Sequence, residues 1–127
     1  MSFPGEAAVQ VRACTEGQFL NMRLHSEWLG VQPTQILLTG GGSKSDQICQ
    51  VAADVFGANV VRMKNAGSAS LGAAIMAGVA AGQGTIEQFE NSLCQLDDAA
   101  TVAPQNDSHD QYTALLPQFS DLIQQNL

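Results

Sequence analysis

The sequence predicts an α/β domain in which short parallel strands alternate with packed helices. Two observations carry that expectation. Two apolar runs, "QILLT" and "NVVRM", are each bounded by breaker residues, as buried strands are. A helical pattern of about three turns lies between them, and a strand–helix–strand connection of that length makes a parallel pair. The 127 residues fit one domain, with 45% hydrophobic and only 13% charged residues, which favours packed elements over disorder.

Taken in order, residues 5–29 predict a helix. Ala13, Gly17, Leu20, Leu24 and Trp28 recur at spacings of three and four and define one buried stripe. Arg12 with Glu16, and Arg23 with Glu27, stand four apart on the more exposed side. Gly30 is placed to end this helix and Pro33 cannot continue it. The first strand is expected over 35–39 and a glycine turn over 40–43. A second helix over 45–56 is capped by Ser45 or Ser43, with Asp46 in its first turn. Ile48, Val51, Ala52, Val55 and Phe56 form its apolar face and Gly57 ends it. A second strand covers 59–63. A third helix over 68–82 opens at Ser68 or Ser70 and carries the small residues Gly72, Ala73, Ala77 and Gly78, which permit close packing. Residues 85–108 are mostly polar and show no period. A last helix covers 109–126, where Pro117 is expected to kink or split it. Two strands make a poor sheet, so either the tail holds another strand or the sheet extends beyond this chain.

The bulk numbers exclude several classes. A formal net charge of −7, with five scattered basic residues, argues against nucleic-acid and anionic-membrane surfaces. Cys14, Cys49 and Cys94 are odd in number and far apart, which points to reduced thiols in or near the core. The N-terminus shows no basic patch with an apolar run, and "ASLGAAIMAGVAAG" is too short to span a bilayer. The expectation is a cytoplasmic protein.

The chemistry-bearing stretch is "LLTGGGSKSDQ". Consecutive glycines between a strand and a helix open backbone angles closed to other residues and let a ligand approach the main chain. The helix behind them offers free N–H groups and a partial positive charge, which suits a phosphate. Ser43 and Ser45 could add hydroxyls and Lys44 a charge; a tight turn with no ligand is the plain alternative. The stretch lacks the Gly-Lys-Ser/Thr order and spacer of a P-loop. Gly40-x-Gly42-x-x-Ser45 nearly matches the dinucleotide fingerprint. Arg62 and Lys64, however, stand where an acidic residue is needed, which at best suits a 2′-phosphate. His25 and His109 read as helix-surface or loop residues, Asp54 as a surface or capping residue, and Trp28 and Tyr112 as core or contact residues. Cys49 has no His near it in sequence and reads as packing under the turn.

Four segments together resemble the C-terminal part of the FGGY family of carbohydrate kinases, with the xylulokinase-like branch nearest. They are "R-A-x-x-E-G" (Arg12, Ala13, Glu16, Gly17), the strand with its Gly-Gly-Gly-x-Lys-Ser turn, "A-D-V-F-G" (Ala53 to Gly57) and "L-G-A-A" (Leu71 to Ala74). The ending "VAPQNDSHDQYTALLPQF" is similar too. The resemblance implies a partial ribonuclease H-like lobe of the actin/hexokinase/Hsp70 ATPase type, without its opening three antiparallel strands, and so a C-terminal fragment. It implies that Gly40, Gly41, Gly42, Ser43 and Ser45 contact ATP, with Mg2+ as the accompanying ion and a xylulose-like sugar as phosphoryl acceptor. The sugar contacts and the catalytic aspartate belong to a preceding part of the chain, so this segment alone is expected to be inactive. Ile48 and Cys49 replace an aromatic and an arginine common in relatives, and "NAGSAS" lacks their acidic residue. A stand-alone nucleotide or metabolite module and an NADP-binding oxidoreductase fragment are the alternatives. Self-association into a homo-oligomer through an unpaired sheet edge is also expected.

Overall fold

A computed structural model describes residues 7–126. Helix α1 (Ala7–Ser26) continues into a 3₁₀ turn (Glu27–Leu29), followed by strand β1 (Gln35–Leu38), a second 3₁₀ turn (Gly41–Lys44) and helix α2 (Asp46–Phe56). Strand β2 (Asn59–Met63), helices α3 (Ser68–Ala80) and α4 (Ile86–Leu93), strand β3 (Leu96–Val102) and helix α5 (Asn106–Gln124) complete the chain. Gly5 and Glu6, at the start of the expected first helix, lie outside the described residues.

The sheet has the order β1-β2-β3. β1 and β2 are parallel, as the strand–helix–strand pattern requires, with Ile36 opposite Val60 and Leu38 opposite Arg62. The third strand lies in the tail: β3 runs antiparallel to β2, pairing Val60 with Val102 and Arg62 with Asp97, with an irregularity between those pairs. It falls in the stretch read as irregular, as does α4. β3 contains "LDDAAT", which has little β propensity, but an edge strand tolerates carboxylates because one side needs no partner. α4 is announced by Thr85 and Gln88: Thr85 Oγ1 accepts from Gln88 N at 3.3 Å, and Gln88 Oε1 accepts from Thr85 N at 2.9 Å.

α2 lies between two cores. Toward the sheet it presents Cys49, Ala52 and Ala53, which pack with Val60, Ile36, Leu38 and Val102. Toward α1 and α5 it presents Val51 and Val55, against Leu20, Tyr112 and Leu116. Small residues face the sheet and larger ones face the helices, so the helix can approach the strands closely while filling the space behind it. On α1 the expected stripe is buried only at Leu20; Ala13 is exposed, and Trp28 is 81% exposed on the 3₁₀ turn. The thiols also differ from expectation: Cys49 is buried, but Cys14 is exposed.

Polar ties join the helices. Arg12 Nε meets Glu16 Oε1 at 2.7 Å as the spacing predicts, and the same oxygen accepts from the Tyr112 hydroxyl at 2.8 Å. Arg23 does not pair with Glu27. Its guanidinium donates to the Val55 carbonyl at 2.7 Å and to Thr113 Oγ1 at 3.1 Å. The last carbonyls of α2 have no partner in their own helix, so a cation there satisfies an acceptor and the helix dipole together. Asp54 is buried rather than on the surface: its Oδ1 accepts from Gln50 Nε2 at 2.8 Å and from the Gln105 amide at 2.7 Å, just before α5. His109 Nδ1 lies 2.9 Å from the Asp54 carbonyl oxygen. α5 begins three residues before the expected position and passes unbroken through Pro117.

α3 is apolar on nearly every side, yet only Ile75 is buried along it. Its closest neighbour is α4: a Cβ at Gly78 would lie 2.8 Å from Phe89 Cζ, so glycine there permits the helix contact.

Burial raises the Tyr112 phenol above its ordinary value of 10.0, and the hydrogen bond to Glu16 raises it further. The native state therefore favours the neutral phenol. That stabilisation is complete below the unfolded pKa and is lost as pH rises through the higher native one. Tyr112→Phe is expected to cost about 1 kcal/mol at neutral pH. It should also flatten the loss of stability above roughly pH 10, measured by urea unfolding across that range. Gly57 has φ +64°, and a Cβ there would sit 2.6–2.9 Å from the His109 ring. Gly57→Ala should destabilise the chain by about 3 kcal/mol in the same assay, through backbone strain and the displaced ring together.

Candidate functional site

The glycine turn sits at the carboxyl end of β1, where open α/β sheets place their ligands. Gly40 has φ +87° and ψ −172°, a region essentially reserved for glycine. Its N–H donates to the Ala66 carbonyl at 3.1 Å, tying the turn to the loop after β2. Its carbonyl accepts from Ser43 N at 3.2 Å and from Ser43 Oγ at 2.7 Å. Ser45 N closes the next bond, to the Gly42 carbonyl, at 3.1 Å.

The two serines are turned to internal duties. Ser43 is buried with its hydroxyl donated to Gly40. Ser45 caps α2: its Oγ accepts from Ile48 N at 3.4 Å, and its hydroxyl donates to Gln47 Oε1 at 3.2 Å. Cys49 lies beneath the turn, fully buried, with its thiol donating to the Ser43 carbonyl at 3.4 Å. A sulfur held inside the core in this way is a packing group and a weak donor, not an accessible nucleophile.

The donors left over are backbone amides. Among the described residues, the N–H groups of Gly41 and Gly42 find no acceptor, as expected for the first residues of a helical turn. A Cβ on Gly41 would meet nothing within 4 Å, and one on Gly42 only the Ile48 methyl groups at 3.8 and 3.9 Å. The turn's own packing therefore does not demand glycine at 41, and the outer side of the turn is open. Successive unpaired amides at the start of a helical turn are the donors from which anion sites are built.

Two residues outside the glycine motif hold the site. Arg62, from the end of β2, reaches Asp46 at the first position of α2, with Nη2 and Oδ1 2.6 Å apart. The hydrogen bond to Asp46 raises the guanidinium pKa further above its ordinary value. Ala66 supplies the carbonyl that orients Gly40. Ala66 was not legible as a site residue, because a backbone acceptor leaves no mark in sequence; Arg62 was legible only as a 2′-phosphate contact, and its pairing with Asp46, sixteen positions away, was not. Among the described residues, no three His, Cys, Asp or Glu side chains stand together so as to hold a metal ion. No helix is long and apolar enough to cross a membrane.

Comparison with known proteins gives a consistent picture. The family model described as "FGGY family of carbohydrate kinases, C-terminal domain" matches residues 1–81. The xylulose kinase of Rattus norvegicus is 42% identical over 132 aligned positions, covering 99% of this chain and 24% of the relative. That of Mus musculus is 44% identical, covering 99% and 23%. Among solved structures, a ligand-bound xylulose kinase from Lactobacillus acidophilus superposes with a TM-score of 0.69 at 26% identity, over 95% of this chain and 26% of that one. A gluconate kinase from the same organism gives 0.70 at 27% identity, with the same coverage. The chain thus spans about a quarter of the length of the relatives it matches. Its α/β arrangement is the actin/hexokinase-like fold of these kinases.

The glycines separate by role, which a pair of variants can measure. Gly40→Ala should cost about 1–3 kcal/mol, because alanine must adopt a glycine-only conformation. Gly41→Ala should leave the thermal midpoint within about 2 °C of the parent, since nothing in the fold meets its methyl group. Circular dichroism melts of both variants check this.

Proposed function

Because the chain belongs to the FGGY family of carbohydrate kinases, we propose that it is the nucleotide-binding part of an ATP-dependent sugar kinase acting on a xylulose-like sugar. The observation that carries this reading is the pair of backbone amides at Gly41 and Gly42, on exposed residues and unclaimed among the described residues, just past the carboxyl end of a parallel strand. They would hold phosphate oxygens of ATP, with Gly40 setting their direction. Ser43 and Ser45 serve the same site from beneath, by fixing the turn and capping α2, and Ser45 is near enough to the surface to meet the nucleotide as well.

Phosphoryl transfer depends chiefly on positioning and charge stabilisation. ATP supplies the phosphoryl group when bound. Among its described residues this chain offers free backbone amides for the phosphates, and no three His, Cys, Asp or Glu side chains gather to hold Mg2+. The two carboxylates of α2 are both engaged: Asp54 is buried and held by Gln50 and Gln105, and Asp46 is paired with Arg62. The base and the sugar contacts would come from other parts of the kinase.

Calorimetric titration with ATP and magnesium tests the reading. Binding to this chain that weakens ten- to a hundredfold in Gly41→Asp, with the fold intact, is the expected result, the size of losing amide bonds to a charged group and adding a like charge. Binding unchanged by Gly41→Asp would remove the nucleotide from the turn. Binding of NADP in preference to ATP would favour the oxidoreductase alternative.

A further inference from the structure

Beside the turn opens a cleft of about 680 Å³, between the carboxyl ends of the parallel strands and β3. Three of the five basic residues of this chain line it: Lys44, Arg62 and Lys64. In a chain of net charge −7, that is a strong local inversion of sign. Asp97 lines it too, opposite Arg62 in the strand register.

Among the described residues, Arg62 is paired with Asp46, whereas Lys44 and Lys64 have no carboxylate partner. Arg62 gives Nη2 to Asp46, while its Nε is buried with no partner among the described residues. The Lys64 ammonium meets only a neutral acceptor, Gln95 Oε1, at 3.2 Å. Lys44 is exposed and, among the described residues, forms no ion pair. Asn65, also on the rim, uses its carbonyl oxygen to accept from Gly67 N at 2.9 Å, which leaves its amide N–H groups as donors. The cleft therefore combines two mobile ammonium groups, a fixed guanidinium and an amide donor, in a volume of the range that takes small metabolites.

We infer that this cleft is a phosphate subsite distinct from the glycine turn, with Lys44 and Lys64 closing on a phosphate dianion from two sides and Asn65 donating to a third oxygen. The inference does not depend on ATP occupying the turn. The phosphate could belong to a nucleotide extending from the turn or to a separate phosphate ester, and the chemistry recognised is the same.

The probe is pyrophosphate, titrated calorimetrically into the chain without metal at low and physiological salt. The variants are the double Lys44→Gln/Lys64→Gln, the single Lys64→Gln, and Gly41→Asp. The expected result is binding that falls about tenfold or more in the double variant, less in the single one, and steeply with salt. Gly41→Asp should weaken it far less than the double variant. Melting curves of the lysine variants should match the parent, since neither ammonium holds the fold. The inference is overturned if the parent binds no pyrophosphate at millimolar concentration, or if the double variant binds as the parent does. It is also overturned if Gly41→Asp removes as much binding as the double variant, because the anion then sits on the turn. Where binding follows the expected pattern, competition names the source: ATP that displaces pyrophosphate identifies the nucleotide's own phosphates, and simultaneous binding identifies a separate ester.

Discussion

Everything in this chain is arranged around a helix that has to be buried on both sides. α2 carries Cys49, Ala52 and Ala53 against the sheet and Val51 and Val55 against α1 and α5. Each end of this helix is provided for separately. At its start, Ser45 caps and Arg62 pairs with Asp46. At its finish, Arg23 takes the Val55 carbonyl, and Gly57 turns the chain left-handed while donating its N–H to Ala53. Asp54 turns the same helix end into an anchor for the beginning of α5. The glycine turn is thus attached to the most firmly packed element of the molecule. A site on such an element keeps its geometry without relying on loop order.

This explains which parts were legible in the sequence. The features of α2 are local: an apolar period, a capping serine, a terminal glycine. Local rules are strong wherever tertiary packing agrees with them, and the two flanking strands follow for the same reason. The tail behaved differently. β3 is an acidic edge strand, held in place by pairing with β2 rather than by its own preference. The cap of α4 was present as Thr85 and Gln88, but in a stretch without enough period to draw attention to it. Arg23 and Asp54 were misread because local spacing offered each an easy role. Arg23 has Glu27 four residues away, yet the unpaired carbonyl of a neighbouring helix competes better than an exposed i, i+4 pair, which contributes only about 0.3–0.5 kcal/mol.

The glycine motif itself was legible as a unit but not in its internal division of work. Sequence shows three equal glycines and two equal serines. In the fold, Gly40 is required by its backbone angle and Gly41 meets nothing. The serines, which look like ligand donors, hold the turn from within. The reason is geometric: a turn this tight must satisfy its own carbonyl and amide groups, and the nearest hydroxyls are recruited first. What remains for a ligand is the backbone, whose availability no residue type advertises.

The net charge of −7 is at odds with the proposed phosphate site only until distance is considered. At physiological salt, charges more than about 8 Å apart are largely screened, so most carboxylates of this chain contribute little at the turn. Within that radius the balance is local. Asp46 is neutralised by Arg62, whereas Lys44 and Lys64 face no carboxylate partner among the described residues. Amides add donors without adding charge, and they are fixed before the ligand arrives. An acidic surface around such a site imposes a useful discrimination: an anion gains only where it reaches the donors themselves, so loose attraction of polyanions is suppressed while close contact is not.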